Sequence, residues 1–346
     1  MKRFCVMLLA ALTLSGCSAR WNEPYRRQMD DLALLGVVGV DRAADEVELT
    51  AADEAGERLS ARSATLTGVM SATRDQGEHY VFYGHVDRLL LGETLVERGL
   101  APVLDGIARD RELGSDVRLW VVRGQASRVV MSVDGLSRRL EQLERSVDVP
   151  RAGDAMGVLA REGSFWLPAL ELVEQDGVSR VHPAGYAVVR KGLLVGYTDR
   201  EGTQGLDLLT GAAEGAVTEL NVPEVGAIGL RLERSRVDVC PRFEGERLVG
   251  LDVVCRLSAR VAQTAVPLDG EDMEQIVYEL EWQQGRCLAC VLEQAQYWDA
   301  DFAGLEYRAR KGRPSRSAEL SRQWAQVFRD LDIRVRMEAT VEQPSA

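Results

Sequence analysis

The stretch Tyr80-Val-Phe-Tyr-Gly-His-Val-Asp-Arg-Leu-Leu-Leu-Gly-Glu-Thr-Leu95, continued through Val96–Asp110 to the apolar run Val117–Gly124, decides how the chain reads. Val81–Leu91 is dense in aliphatic and aromatic residues, as a half-buried strand is. Gly92-Glu93 turns the chain, and Glu93–Asp110 carries an acid at its start and Arg109 near its end, the arrangement that suits a helix macrodipole. Val117–Val122 is a second strand. Strand, helix, strand is the unit of a mixed α/β region.

Working outward, Leu32–Val40 is an apolar run of strand length. Asp41–Asp45 reads as a turn and Glu46–Thr50 as a partner strand. Ala52–Ser63 is polar and reads as loop, and Ala64–Ser71 fits helix or strand equally. Beyond the unit, Gly124–Ser132 is a short helix. Leu136, Leu140 and Leu143 share a helical face, and Pro168 keeps Trp166–Val173 extended. Two strands around Lys191-Gly192 form a hairpin that closes the first sheet. The Gly-, Thr- and acid-rich residues 201–219 read as a linker after an N-terminal region of residues 29–200, itself divisible near 132–165.

Residues 220–346 have a different pattern. Two long strands, Ala227–Asp238 and Leu248–Val261, flank a Phe-Glu-Gly-Glu-Arg turn, and a phase change between Leu232 and Val237 predicts a bulge. Two amphipathic helices follow, from Gly270 and from about Ser317, then a last strand, Ile333–Val341. The fold class expected is α+β: a mixed α/β N-terminal region, then an antiparallel sheet with helices packed on one face.

The first residues are a targeting signal. Lys2-Arg3, the apolar Phe4–Leu14 and Leu14-Ser15-Gly16-Cys17 make a basic start, an apolar core and a small-residue cleavage site in residues 1–16. Cys directly after Leu-Ser-Gly is the lipobox pattern, which implies lipidation of Cys17 and a multi-domain lipoprotein tethered through residues 17–28. Two or more acyl chains on one residue give stable anchoring. Removal of Lys2 and Arg3 takes the formal charge from −12 to −14. So acidic a chain is unsuited to nucleic acid, which calls for clustered cations.

Four other thiols, Cys240, Cys255, Cys287 and Cys290, lie in the body of the chain. Cys287-Leu-Ala-Cys290 has redox or zinc spacing, but it has no second pair and sits in a helical pattern, where Cys acts as a small buried hydrophobe. No metal or organic cofactor is expected. Gly202-x-x-Gly205 lacks the Lys-Ser/Thr ending of a phosphate loop. His85 with Asp87, Asp105 and Asp110 offers a general base in principle, yet no Gly-x-Ser-x-Gly elbow accompanies it, so no catalysis is expected. Asp105, Arg109 and Asp110 read as a helix-end charge cluster, in which a buried Asp–Arg pair would orient the next strand.

The ordered blocks behind the lipobox resemble the Ger(x)C family, the lipoprotein C subunit of spore nutrient germinant receptors. They are Asp31-Leu-Ala-Leu-Leu-Gly-Val-Val-Gly-Val-Asp41, Tyr83-Gly-His-Val-Asp-Arg-Leu-Leu-Leu-Gly-Glu93, Leu104-Asp-Gly-Ile-Ala-Arg-Asp110, Val121–Ala126, Gly185–Tyr197, Asp301-Phe-Ala-Gly304 and Trp324-x-x-x-Phe328. The resemblance marks Gly84, His85, Gly92, Glu93, Asp105, Arg109, Asp110, Asp301, Gly304 and Trp324 as structural or interface residues. It implies a non-enzymatic subunit on the outer face of the spore inner membrane, assembled with the integral-membrane A and B subunits of the receptor. A surface lipoprotein that captures nutrient itself, and a hydrolase built on His85, are the rival readings.

Overall fold

A computed structural model describes residues 32–52, 58–74, 76 and 80–343. The targeting signal, Cys17 and the tether lie outside the described residues.

The N-terminal region is built on an eight-stranded sheet. In chain order its strands are β2 (Val37–Ala43), β3 (Glu46–Ala52), β4 (Arg58–Ser63), β6 (Arg88–Gly92), β7 (Arg118–Arg123), β8 (Ser164–Gln175), β9 (Val178–Arg190) and β10 (Leu193–Tyr197). They lie in the order β10-β9-β8-β7-β6-β2-β3-β4. The four central strands, β8, β7, β6 and β2, are parallel, and an antiparallel hairpin extension flanks each side. A two-stranded parallel pair, β1 (Leu32–Leu34) with β5 (Tyr80–Phe82), stands apart.

Strand period sorts the side chains to two faces. Val38, Val40, Leu89, Leu91, Leu119 and Val121 pack under α1 (Leu66–Arg74), α2 (Glu93–Arg98), α3 (Ala101–Arg109) and α6 (Ala152–Glu162). Their neighbours Val37, Leu90, Trp120 and Val122 pack under α4 (Ala126–Ser132) and α5 (Leu136–Leu143). A sheet buried on both faces explains the continuous apolar runs in its central strands.

Several expectations change here. Val81–Leu91 is not one strand: a 3₁₀ turn, Tyr83–His85, separates β5 from β6, and the two pieces belong to different sheets. Tyr83 is buried there, its hydroxyl bonded to Thr73 Oγ1 at 2.9 Å and its amide to Glu112 at 3.2 Å. Glu93–Asp110 is two helices, broken at Gly99, whose φ of +127° a residue with a Cβ resists. Residues 58–63, read as loop, form β4.

The C-terminal sheet has the order β11-β12-β13-β14, with β11 (Val217–Val222), β12 (Gly226–Glu244), β13 (Arg247–Gln263) and β14 (Asp332–Glu342). The long hairpin is present, with its expected register shift between Leu232 and Arg234. The first three strands are antiparallel, while β14 joins β13 in parallel. The reason is the long α8 (Gly270–Tyr297), which carries the chain back along the sheet so that Asp332 starts β14 opposite Gly250. Asp269 opens α8 with a capping box, accepting from Glu271 and Asp272 amides at 2.9 and 3.0 Å. Leu251, Val253 and Cys255 face α8, α9 (Leu305–Gly312) and α10 (Ser317–Val327). The alternate residues form an exposed face rich in Arg, Asp and Glu.

Residues 201–219, read as a linker, instead hold α7 (Arg200–Thr210) and the start of β11. Tyr186 and Val188 of β9 share one core with Leu206, Leu251 and Leu288, so the two sheets are packed together.

Candidate functional site

Open parallel sheets bind ligands outside the carboxyl ends of their strands, where helix amides attract anions. In this chain that place is filled from within. Asp41, near the end of β2, is buried and points at the first turn of α4. Oδ1 accepts from Ala126 N at 2.8 Å, and Oδ2 accepts from Ser127 N at 2.7 Å. Burial pushes its carboxyl upward in pKa, opposed by the two amide bonds. Gly92 ends the adjacent strand, β6, and a Cβ there would overlap Asp41 Oδ1. Glu93 then clamps the β7–α4 turn twice: its amide donates to Gly124 O at 2.9 Å, and Oε2 accepts from Gly124 N at 3.1 Å. Gly92-Glu93 is thus a junction of three strand ends, which its sequence reading as a turn did not show.

The same device recurs in the C-terminal region. Asp301 is buried, and its two oxygens accept from Leu305 N at 2.7 Å and Glu306 N at 2.8 Å, capping α9. Burial raises its carboxyl pKa to about 6. Gly304 precedes that helix at φ +66°, the left-handed region glycine favours. Trp324 stacks on Phe328 at 5.1 Å, both buried in the core beside α10.

The remaining marked residues do not converge. Gly84 and His85 are exposed on the 3₁₀ turn, where the His85 ring meets Phe82 edge-on at 5.7 Å. Arg109 bonds Asp105 at 2.8 Å, but both side chains are mostly exposed, so the pair does not anchor the following strand as a buried pair would. Asp110 ends α3, accepting from Glu112 N and Leu113 N, each at 2.8 Å. Asp87 accepts from Arg88 at 2.8 Å, so each of the three acids that the sequence sets near His85 has another partner. Among the described residues no group of three or more His, Cys, Asp and Glu is placed to hold a metal.

Two of the four thiols are core groups, Cys290 is half-buried and Cys240 is exposed. Cys255 and Cys287 are buried, and burial raises both to about 11; Cys290 is raised to about 12 by burial and by Asp199. Cys240 lies opposite Asp252, not Cys255, and the four thiols are free.

Two polar contacts escape a sequence reading because their partners are remote. Arg88, buried in β6, bonds Glu144 at the end of α5 through Nε at 2.7 Å and Nη2 at 2.9 Å. Tyr186 donates to Asp207 at 2.5 Å across the seam between the two sheets. Burial and Asp207 raise the Tyr186 phenol, and burial raises Asp207 to about 6.

The fold and these contacts define an α+β protein of two packed regions, in which buried carboxylates serve as helix caps, one of them at the strand ends where ligands commonly bind. Two family descriptions match it: "Spore germination protein N-terminal domain" over residues 25–169, and "Spore germination B3/ GerAC like, C-terminal" over residues 184–345. The chain therefore belongs to the GerAC-like family of spore germination proteins. It shares its fold with the crystal structure of the GerBC protein, at a TM-score of 0.63 and 17% identity, over 88% of this chain and 96% of that one. No curated protein matches it. Among the described residues no helix is long and apolar enough to cross a membrane.

Proposed function

We propose that this chain is the C subunit of a spore nutrient germinant receptor. It is anchored by lipid at Cys17 on the outer face of the spore inner membrane and assembles with the A and B membrane subunits. The observation that carries the reading is family membership across both regions, residues 25–169 and 184–345. The geometry supports a docking role. Asp41 and Asp301 spend both oxygens on backbone amides, which leaves neither free as a general base. The expected work, on the family reading, is binding and coupling without catalysis. The test is deletion in the spore-forming host, with every paralogue also removed. Germination with one or more nutrients is then lost and returns with the intact gene; unchanged germination overturns the reading.

One observation favours a second reading, direct capture of nutrient. A cleft of about 680 Å³ lies between residues 144–151 and residues 211–216, with Arg118, Arg151, Glu144 and Asp148 along it. A polar cleft between regions is where a small zwitterion would sit. Calorimetric titration of the purified chain with amino acids separates the two: a saturable response supports capture, and none supports docking.

A further inference from the structure

β11 pairs with β12 only as far as Arg231, so beyond Leu232 that strand has a neighbour, β13, on one side alone. α9 lies along the vacant edge, so close at Gly312 that a Cβ would overlap Val239 O. Between helix and strand runs a groove of about 840 Å³. Four cations line it, Arg236, Arg256, Arg308 and Lys311, against one acid, Asp238. In a chain of net charge −12 this local balance runs against the composition.

That single acid is already shared. Arg256 reaches it at 2.5 Å and Arg236 at 3.6 Å, and Arg256 also has Glu338 at 3.0 Å. Arg308 donates through Nη2 to Leu209 O at 2.7 Å, closing the end of α7, and more weakly through Nε to Ala303 O at 3.4 Å. Among the described residues no carboxylate lies within ion-pair distance of Arg308 or Lys311. Lys311 sits over the Tyr307 ring at 4.6 Å and lowers that phenol's pKa. Partial burial of Arg308 disfavours its charge, and the nearby Asp301 partly offsets that. A half-buried guanidinium with no carboxylate at ion-pair distance is open to a further anion, and carboxylate and phosphate oxygens match its fork.

We propose that this groove binds an oxyanion-bearing ligand, a carboxylate- or phosphate-rich group, held by Arg308 and Lys311 with Arg236 at its rim. The site is separate from the docking role above and stands or falls without it. Cys240, exposed in the same groove, reports occupancy.

The experiment follows maleimide labelling of Cys240 by peptide mass mapping in the full chain, held in lipid bicelles at fixed ionic strength. Citrate, inorganic phosphate, and phosphatidylglycerol doped into phosphatidylcholine bicelles are added in separate arms. Occupancy slows labelling by about fivefold or more, and Lys311→Gln with Arg236→Gln abolishes the protection. Both replaced side chains are exposed, and unchanged circular dichroism confirms the fold of the variant. Protection by citrate or phosphate assigns a soluble anion, and protection by phosphatidylglycerol alone assigns a lipid headgroup. The proposal is overturned if no arm slows labelling, or if protection persists unchanged in the double variant.

Discussion

At Asp41 a single carboxylate does the work that a bound anion does in many parallel sheets. Its two bonds to Ala126 and Ser127 replace solvent at the start of α4. Replacing Asp41 with Ala removes both acceptors and leaves buried amides unpaired, so we expect a loss of about 2–3 kcal/mol in urea unfolding. Asp207 makes the opposite prediction. Its folded pKa of about 6 lies above the ordinary 3.8, so the native state holds its proton more tightly than the unfolded chain does. Its contribution is complete below about pH 4 and is lost as pH rises towards 6. Asp207→Asn keeps an acceptor for Tyr186 and removes the desolvated charge. The variant should be about 1–2 kcal/mol more stable than the parent at pH 7.5 and nearly equal to it at pH 4, read as urea midpoints. Neither residue announces its role in the sequence. Asp41 looks like part of a turn because the helix it caps begins 85 residues later. The partner of Asp207 lies 21 residues away, across a packed seam.

At the scale of elements, legibility follows locality. The amphipathic α8 and α10, the bulged β12–β13 hairpin and the Lys191-Gly192 turn were readable because period and turn chemistry are contained within each segment. β4 was hidden: in Arg-Leu-Ser-Ala-Arg-Ser the inward face is only Leu59 and Ala61, too small an apolar signal beside charged neighbours. α7 was hidden by its glycines, which read as loop. They are packing residues. A Cβ at Gly205 would overlap Cys287 O, and one at Gly202 would overlap the Gln294 side chain, so α7 and α8 meet closely there. Gly205→Ala therefore forces two helices apart, and we expect about 2–3 kcal/mol of destabilisation by thermal unfolding; an unchanged melting temperature would contradict that packing. Arg88 with Glu144 fixes β6 to the end of α5. Glu144→Ala leaves Arg88 Nε and Nη2 without their acceptor while Nη1 keeps Asp87, and should cost about 2–3 kcal/mol in denaturant unfolding, beyond an exposed pair such as Asp105–Arg109.

Taken whole, the molecule joins its two sheets through a shared apolar core, with polar ties at Tyr186–Asp207 and Arg190–Asp299. The mixed α/β first half and helix-covered second half were legible from pattern alone. The parallel entry of β14 was not, because strand direction is set by the helix that carries the chain back. The proposed anchor makes its own prediction: Cys17→Ser moves the chain from the membrane fraction to the soluble fraction of disrupted spores. The central claim is assembly with integral-membrane subunits. Its most direct measurement is affinity purification of the tagged chain from detergent-solubilised spore inner membrane, with the co-purifying proteins quantified by mass spectrometry. The account predicts two polytopic membrane proteins in near-stoichiometric amounts; recovery of the chain alone from intact, germination-competent spores would contradict it.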